Sequence, residues 1–181
     1  MTTELAGRGL EPAMAPRPAT TAPDDPAMGS WRAFIHAHAK LTRRLDEELQ
    51  AAHGLSLAEY DALLQIARTP ERRLRMSTLA ERVLLSRSGI TRLVDRLVAD
   101  GAVMRTTCPT DARGAEAALT EAGMRRLRDA SGTHLAGVQG YFLDVVAPGD
   151  REAIERGLTR VMDAVGGPST ADSHCDTTGT A

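Results

Sequence analysis

The sequence predicts a mainly α-helical fold carrying one small β-hairpin, and three observations predict it. Aromatic residues are scarce, with one Trp, two Tyr and two Phe in 181 residues, while hydrophobic residues reach 42 %. A core built on Leu, Ala and Val in place of aromatics leans towards helices. Apolar residues recur at helical spacing along most of the chain from Ser30 to Val165. Only the stretch after Gly101 changes to a β-compatible pattern, and it is short. A chain of this length fits one compact domain with loose ends.

Taken in order, Met1–Gly29 holds Pro12, Pro16, Pro18, Pro23 and Pro26 among Ala, Thr and Gly. It offers no periodic apolar face, so residues 1–29 read as a disordered arm. Residues 166–181 read as a disordered tail by the same composition, leaving 30–165 as the folded part. Ser30 can cap a first helix running to about Ala52, with Phe34, Leu41, Leu45 and Leu49 at near-helical spacing and Gly54 as its stop. Ser56 and Glu59 have the spacing of a capping box for a second helix, apolar from Leu57 to Ala67 and ended by Pro70. Glu71-Arg72-Arg73-Leu74-Arg75 reads as a short basic connection. Thr78 followed by Glu81 predicts the cap of a short third helix, with Leu79, Ala80, Val83 and Leu84 on its apolar face. A fourth helix starts near Ser86 and turns Ile90, Leu93, Val94 and Leu97 inward at i, i+3, i+4 and i+7, with Gly101 just past its end. Two short helices joined by a tight turn, the second with a polar, basic outer face, make a helix-turn-helix.

Val103–Thr107 predicts a strand, Pro109–Gly114 a turn and Ala115–Leu119 a returning strand. A hairpin placed directly after the fourth helix is a wing. Thr120 caps a long helix to about Val146. Gly132, Gly137 and Gly140 each cost it roughly 1 kcal/mol relative to Ala, so it needs tertiary or intersubunit packing. A last helix over Asp150–Val165 puts Ile154, Leu158, Val161 and Val165 on one face.

The formal net charge of −2 does not announce a nucleic-acid binder, and its distribution is more informative. Between Arg68 and Arg113 stand ten Arg against five Asp or Glu, while the remainder is acidic. A basic segment in an acidic protein can meet phosphates locally while the other parts avoid them. That segment coincides with the helix-turn-helix and wing, so the DNA-reading unit is expected at about 56–119.

Met76-Ser77-Thr78-Leu79-Ala80-Glu81-Arg82 followed by Ser86-Arg87-Ser88-Gly89-Ile90-Thr91-Arg92-Leu93-Val94-Asp95-Arg96-Leu97 resembles the multiple-antibiotic-resistance regulator (MarR) family. So do the wing Asp111-Ala112-Arg113-Gly114 and the exit Leu119-Thr120-Glu121-Ala122-Gly123. The family pattern is an LAE helix, an S-x-S/T-x-[IV]-T-R-L-V-D-R-L helix, a D-x-R wing and an LT-x-x-G exit, here in order at suitable distances over about 30–165. Ala112 departs from the Arg common at that position, which removes one wing charge. The resemblance implies a winged helix-turn-helix regulator acting as a homodimer on double-stranded DNA, with dimerisation helices at about 30–52 and 120–165. It implies a ligand-responsive repressor on a pseudo-palindromic operator. The alternative is a constitutive or architectural DNA binder without a ligand.

Ser86, Arg87, Ser88, Thr91 and Arg92 occupy the outward face of the fourth helix's N-terminal half. There Arg can take guanine bidentately, Ser or Thr can reach bases or phosphates, and the helix N-terminus favours an anion. Capping alone can also explain Ser86. Arg92 is expected at the DNA backbone. Arg96 is placed either at DNA or in an internal ion pair, and Asp95 can hold a neighbouring Arg. Arg113 is expected at the wing tip, reaching the minor groove, with Asp111 orienting its guanidinium. The family often binds small phenolic or other aromatic anions in a crevice between the dimer helices and the DNA-reading unit. Trp31, Arg32, Phe34, His36 and His38 are candidates for its lining, against a role in core or dimer packing. His134 reads as an interface or surface histidine, and Cys108 as an ordinary exposed thiol near the wing.

Other classes fit poorly. Cys108 and Cys175 share no metal-type spacing, so neither a zinc site nor a disulfide framework is supported. No apolar run approaches the ~20 residues of a membrane span, and no basic start precedes an apolar block as in a signal peptide. A cytoplasmic protein without metal or cofactor is expected. No glycine-rich phosphate loop follows a strand, and too few residues follow the wing for a cofactor domain, so an enzyme is not expected.

Overall fold

The computed structural model describes residue 22 and residues 24–108 and 111–165, with the backbone alone at 107, 108 and 111–114. The order is α1 (Met28–His53), α2 (Leu57–Ala67), β1 (Arg73–Arg75), α3 (Met76–Arg82), α4 (Arg87–Ala99), β2 (Val103–Cys108), β3 (Asp111–Leu119), α5 (Glu121–Val138) and α6 (Pro148–Val165). A π-helical turn, Gln139–Leu143, extends α5. The result is mainly helical with a three-stranded antiparallel sheet ordered β1-β3-β2.

Several expected punctuation marks hold. The Ser56 hydroxyl accepts the Glu59 N–H at 3.2 Å while the Glu59 carboxylate accepts the Ser56 N–H at 3.0 Å, a complete capping box. Ser86 and Thr120 cap α4 and α5 by accepting the N–H of Gly89 and Gly123. Gly54 and Gly101 take φ of 58° and 69°, the left-handed geometry that ends α1 and α4.

Other starts differ from expectation. Helix α1 begins at Met28, before Ser30, because Asp25 accepts the Ala27 N–H at 2.7 Å and turns the chain into the helix; Ser30 only bonds back to the Ala27 carbonyl. Helix α3 begins at Met76 with no side-chain cap, since β1 runs straight into it and Thr78 lies within its first turn. The expected basic connection is itself a strand. Leu74 is buried between two Arg, and Arg73–Arg75 pairs with Glu116–Ala118 of β3. The buried Thr69 hydroxyl fixes this turn, donating to Ile66 O and accepting the Arg73 N–H.

Beneath the sheet, Leu49, Leu55, Leu63, Ile66, Leu79, Ile90, Leu93, Leu97 and Val103 form one cluster joining α1–α4 to the wing base. Helix α5 crosses α1 at Gly137, where an added Cβ would stand 2.5 Å from Leu45 Cδ2. Helix α6 has no buried residue, and Ile154, Val161, Met162 and Val165 remain exposed.

Leu84 departs most from expectation. It lies off the apolar face of α3, 90 % exposed, with φ of 57°. The Leu84 N–H bonds to Glu81 O and the Leu85 N–H to Ala80 O, the paired pattern of a Schellman motif with Leu84 at the position that glycine usually holds. A left-handed side-chain-bearing residue costs roughly 1–2 kcal/mol.

Candidate nucleic-acid interface

The polar face of α4 is set by what its other face buries. Ile90, Leu93, Val94 and Leu97 are almost wholly buried, so Ser86, Arg87, Ser88, Thr91 and Arg92 are left exposed on the opposite side. Local bonds order this face. The Ser86 and Ser88 hydroxyls lie 3.2 Å apart, Thr91 Oγ1 donates to Arg87 O at 2.8 Å, and Arg92 Nε donates to Ser88 O at 3.3 Å. The remaining guanidinium donors of Arg92 project from the N-terminal half of a helix whose end already favours anions.

Arg96 is built differently. Its Nε donates to Glu59 Oε1 at 2.8 Å, the internal ion pair of the two expected roles, while the side chain stays 59 % exposed. Burial pushes the Glu59 carboxyl up, but the hydrogen bonds from Arg96 and Ser56 more than offset this and hold it below its ordinary value. A carboxylate with a lowered pKa stabilises the fold above its unfolded pKa and loses that contribution as pH falls through the folded value. Arg96→Ala is therefore expected to cost about 1 kcal/mol at neutral pH, since the Arg is largely solvated. The difference from wild type should begin to shrink as pH falls past the ordinary glutamate value of about 4.3 and close only below the lowered folded value. Denaturant titrations at neutral and acid pH check it; a difference that persists in acid would contradict the ion-pair account.

An interaction missed in the sequence fixes the wing to α4. Arg105 of β2 pairs with Asp95 Oδ1 at 2.8 Å and also donates to Thr91 O at 3.3 Å. Asp95 does hold a nearby Arg, but one that lies on the first strand of the hairpin. The only sequence signal was opposite charge on two neighbouring elements.

The hairpin is longer than expected. Strand β3 begins at Asp111, and its register against β2 jumps from Thr107↔Ala115 to Cys108↔Asp111. Of the residues expected to form a turn, Asp111–Gly114 are taken into β3 across this irregularity, and Arg113 lies within that strand; Pro109 and Thr110 lie outside the described residues. The side chains of Asp111 and Arg113 lie outside the described residues, as does that of Cys108.

A cleft of about 600 Å³ opens between α1, α2 and α5, lined by His38, Thr42, Arg43, Asp46, Tyr60, Asp61, His134 and neighbouring apolar groups. Of the five expected lining residues only His38 reaches it. Trp31, Arg32, Phe34 and His36 lie on the exposed part of α1, where Trp31, Phe34 and His38 form a row with ring centres 6.3 and 6.2 Å apart. They miss the cleft because α2 and α5 pack against the later turns of α1, around Leu45 and Leu49. His134, expected at an interface or on the surface, is half-buried and lines the cleft. Its ring is 4.5 Å from Tyr60, and its Nδ1 is buried without a hydrogen-bond partner among the described residues. Burial lowers its pKa, against an opposing pull from Asp61.

Among the described residues no His, Cys, Asp or Glu cluster could hold a metal ion, and no helix is long and apolar enough to cross a membrane.

A helix-turn-helix with a basic reading helix and an attached wing defines a class of transcriptional regulators, and comparison with known proteins agrees. The sequence profile of the MarR family matches residues 53–114. An uncharacterised HTH-type transcriptional regulator of Bacillus cereus is 31 % identical over 120 residues, covering 66 % of this chain and 78 % of the relative. Among solved structures, the MarR family regulator Sco3205 of Streptomyces coelicolor, crystallised in complex with DNA, is 32 % identical with a TM-score of 0.73, covering 78 % of this chain and 92 % of that one. AbsC, a MarR family regulator of the same organism, is 30 % identical with a TM-score of 0.74, covering 80 % and 97 %. The chain belongs to the MarR family of transcriptional regulators.

Proposed function

We propose that the protein is a sequence-specific DNA-binding repressor, acting in the cytoplasm as a homodimer on a pseudo-palindromic operator and released by a small aromatic or phenolic ligand. The observation that carries the DNA-binding reading is the exposed N-terminal face of α4, with Ser86, Arg87, Ser88, Thr91 and Arg92 ordered over a buried stripe. In the major groove, the arginines suit guanine or phosphate and the hydroxyls suit bases or phosphates. That Sco3205 was solved with DNA supports the reading. Two copies would set their α4 helices in successive major grooves, half-sites about 10 bp apart. Asp111 and Arg113 are assigned to the wing's minor-groove contact on the family pattern alone. The exposed apolar residues of α6 favour a homodimer, and the cleft beside His134 and Tyr60 favours a ligand that biases one dimer geometry over another.

Selection from random DNA tests the first claim. The full chain should enrich one palindromic motif, and small aromatic acids should release it. Arg92→Ala should weaken binding similarly across operator variants and lower the salt slope by about 1 for each phosphate no longer neutralised. An unchanged slope with altered base preference would make Arg92 a base reader.

A further inference from the structure

We propose that Leu84 is a specificity-determining residue that packs against the 5-methyl group of a thymine in each half-site. The inference rests on the DNA-binding reading above and deepens it. Leu84 follows no local rule. Its backbone is left-handed, where glycine or asparagine is easier, and its side chain is 90 % exposed, where a polar residue is easier. Its neighbours show that the exposure is directional: Val83 and Leu85 both pack against the core, so the chain turns Leu84 alone outward. Neither folding nor packing within the described residues uses this side chain.

Its position says what can use it. Leu84 sits in the turn between α3 and α4, two residues before the Ser86 cap. Two residues span at most about 7 Å, so the leucine borders the surface of Ser86, Arg87 and Ser88 that would enter the groove. A phosphate gives an aliphatic side chain nothing. In the major groove the apolar feature that distinguishes one base from the others is the thymine methyl. An exposed leucine at the mouth of the reading helix suits that group.

The test uses the full chain and the operator it selects from random DNA. Each thymine is replaced in turn by uracil, which deletes only the methyl. Wild type should lose affinity about fourfold at one thymine per half-site, the effect of leaving one methyl unburied, and about fifteenfold when both are replaced. Leu84→Gly should bind the thymine operator about that much more weakly and bind the uracil operator no worse than the thymine one. Its melting temperature should be equal or higher, because glycine relieves the left-handed turn, so weaker binding cannot be put down to unfolding. Leu84→Asn, which also tolerates the turn, should behave alike. Wild type indifferent to uracil everywhere, or Leu84→Gly retaining the thymine preference, overturns the proposal while leaving DNA binding intact. If the wild-type chain enriches no sequence, the DNA-binding reading fails and the proposal with it.

Discussion

Aspartate at both Ile154 and Val161 is expected to turn a homodimer into monomer and to weaken operator binding by about 10²- to 10⁴-fold, the gain that coupling two binding units provides. The residues stand two helical turns apart on one face of α6, 38 % and 52 % exposed, and α6 buries none of its residues against the described chain. A helix of its 18 residues draws most of its stability in a protein from packing of its apolar face. A second copy of the chain would supply the missing apolar surface. Because both positions are open to solvent in one copy, the change should leave the wing and its core folded. Sedimentation together with circular dichroism checks both halves of the expectation. An intact dimer with unchanged operator affinity would remove α6 from the interface.

Gly123→Ala is expected to destabilise the fold by about 3 kcal/mol, the upper range for overpacking, and to lower the melting temperature by roughly 10 °C. A Cβ at Gly123 would stand 2.0 Å from the Ala102 carbonyl oxygen and 2.8 Å from Leu119 Cδ1. The first of these is backbone and cannot swing aside. Thr120 holds the two segments together, its N–H and hydroxyl bonding to Ala102 O and its hydroxyl to Gly101 O. Gly132→Ala supplies the opposite sign. Nothing lies within 4 Å of a Cβ there, so alanine should stabilise α5 by roughly 1 kcal/mol through helix propensity alone. Thermal unfolding of the two variants side by side separates close approach from intrinsic preference.

The parts of this architecture legible in the sequence were those governed by local chemistry. The Ser56–Glu59 box, the Ser86 and Thr120 caps, the α4 stripe and the Gly54 and Gly101 stops each depend on residues within one or two turns, and each is found. Most of what escaped depends on partners far along the chain. Strand β1 has three residues, two of them Arg, and exists because β3 pairs with it. The Arg105–Asp95 and Arg96–Glu59 pairs join different elements, and spacing cannot announce them. The cleft follows from where α2 and α5 meet α1, so helical periodicity identified aromatic residues on α1 but not which turns are covered. Leu84 misled because its spacing fits an apolar stripe, whereas the turn's hydrogen bonds rotate it outward.

Arg126 carries a mechanical consequence. From α5 its guanidinium grips Asp100 Oδ2 at 2.7 Å, just past the end of α4, and Gly54 O at 2.8 Å, just past the end of α1. One rivet therefore pins three elements at the end of α4 farthest from Ser86. Helix α4 has 13 residues and is about 20 Å long. A tilt of about 5° around the rivet would move its leading end through nearly 2 Å, roughly half a base-pair step of about 3.4 Å. Because Ile90 and Leu93 pack the leading half of α4 into the core and Arg105 ties it to the wing, such a tilt would carry the core and the wing with it, so a shift between α1 and α5 at this joint would reach the groove as a movement of the whole unit.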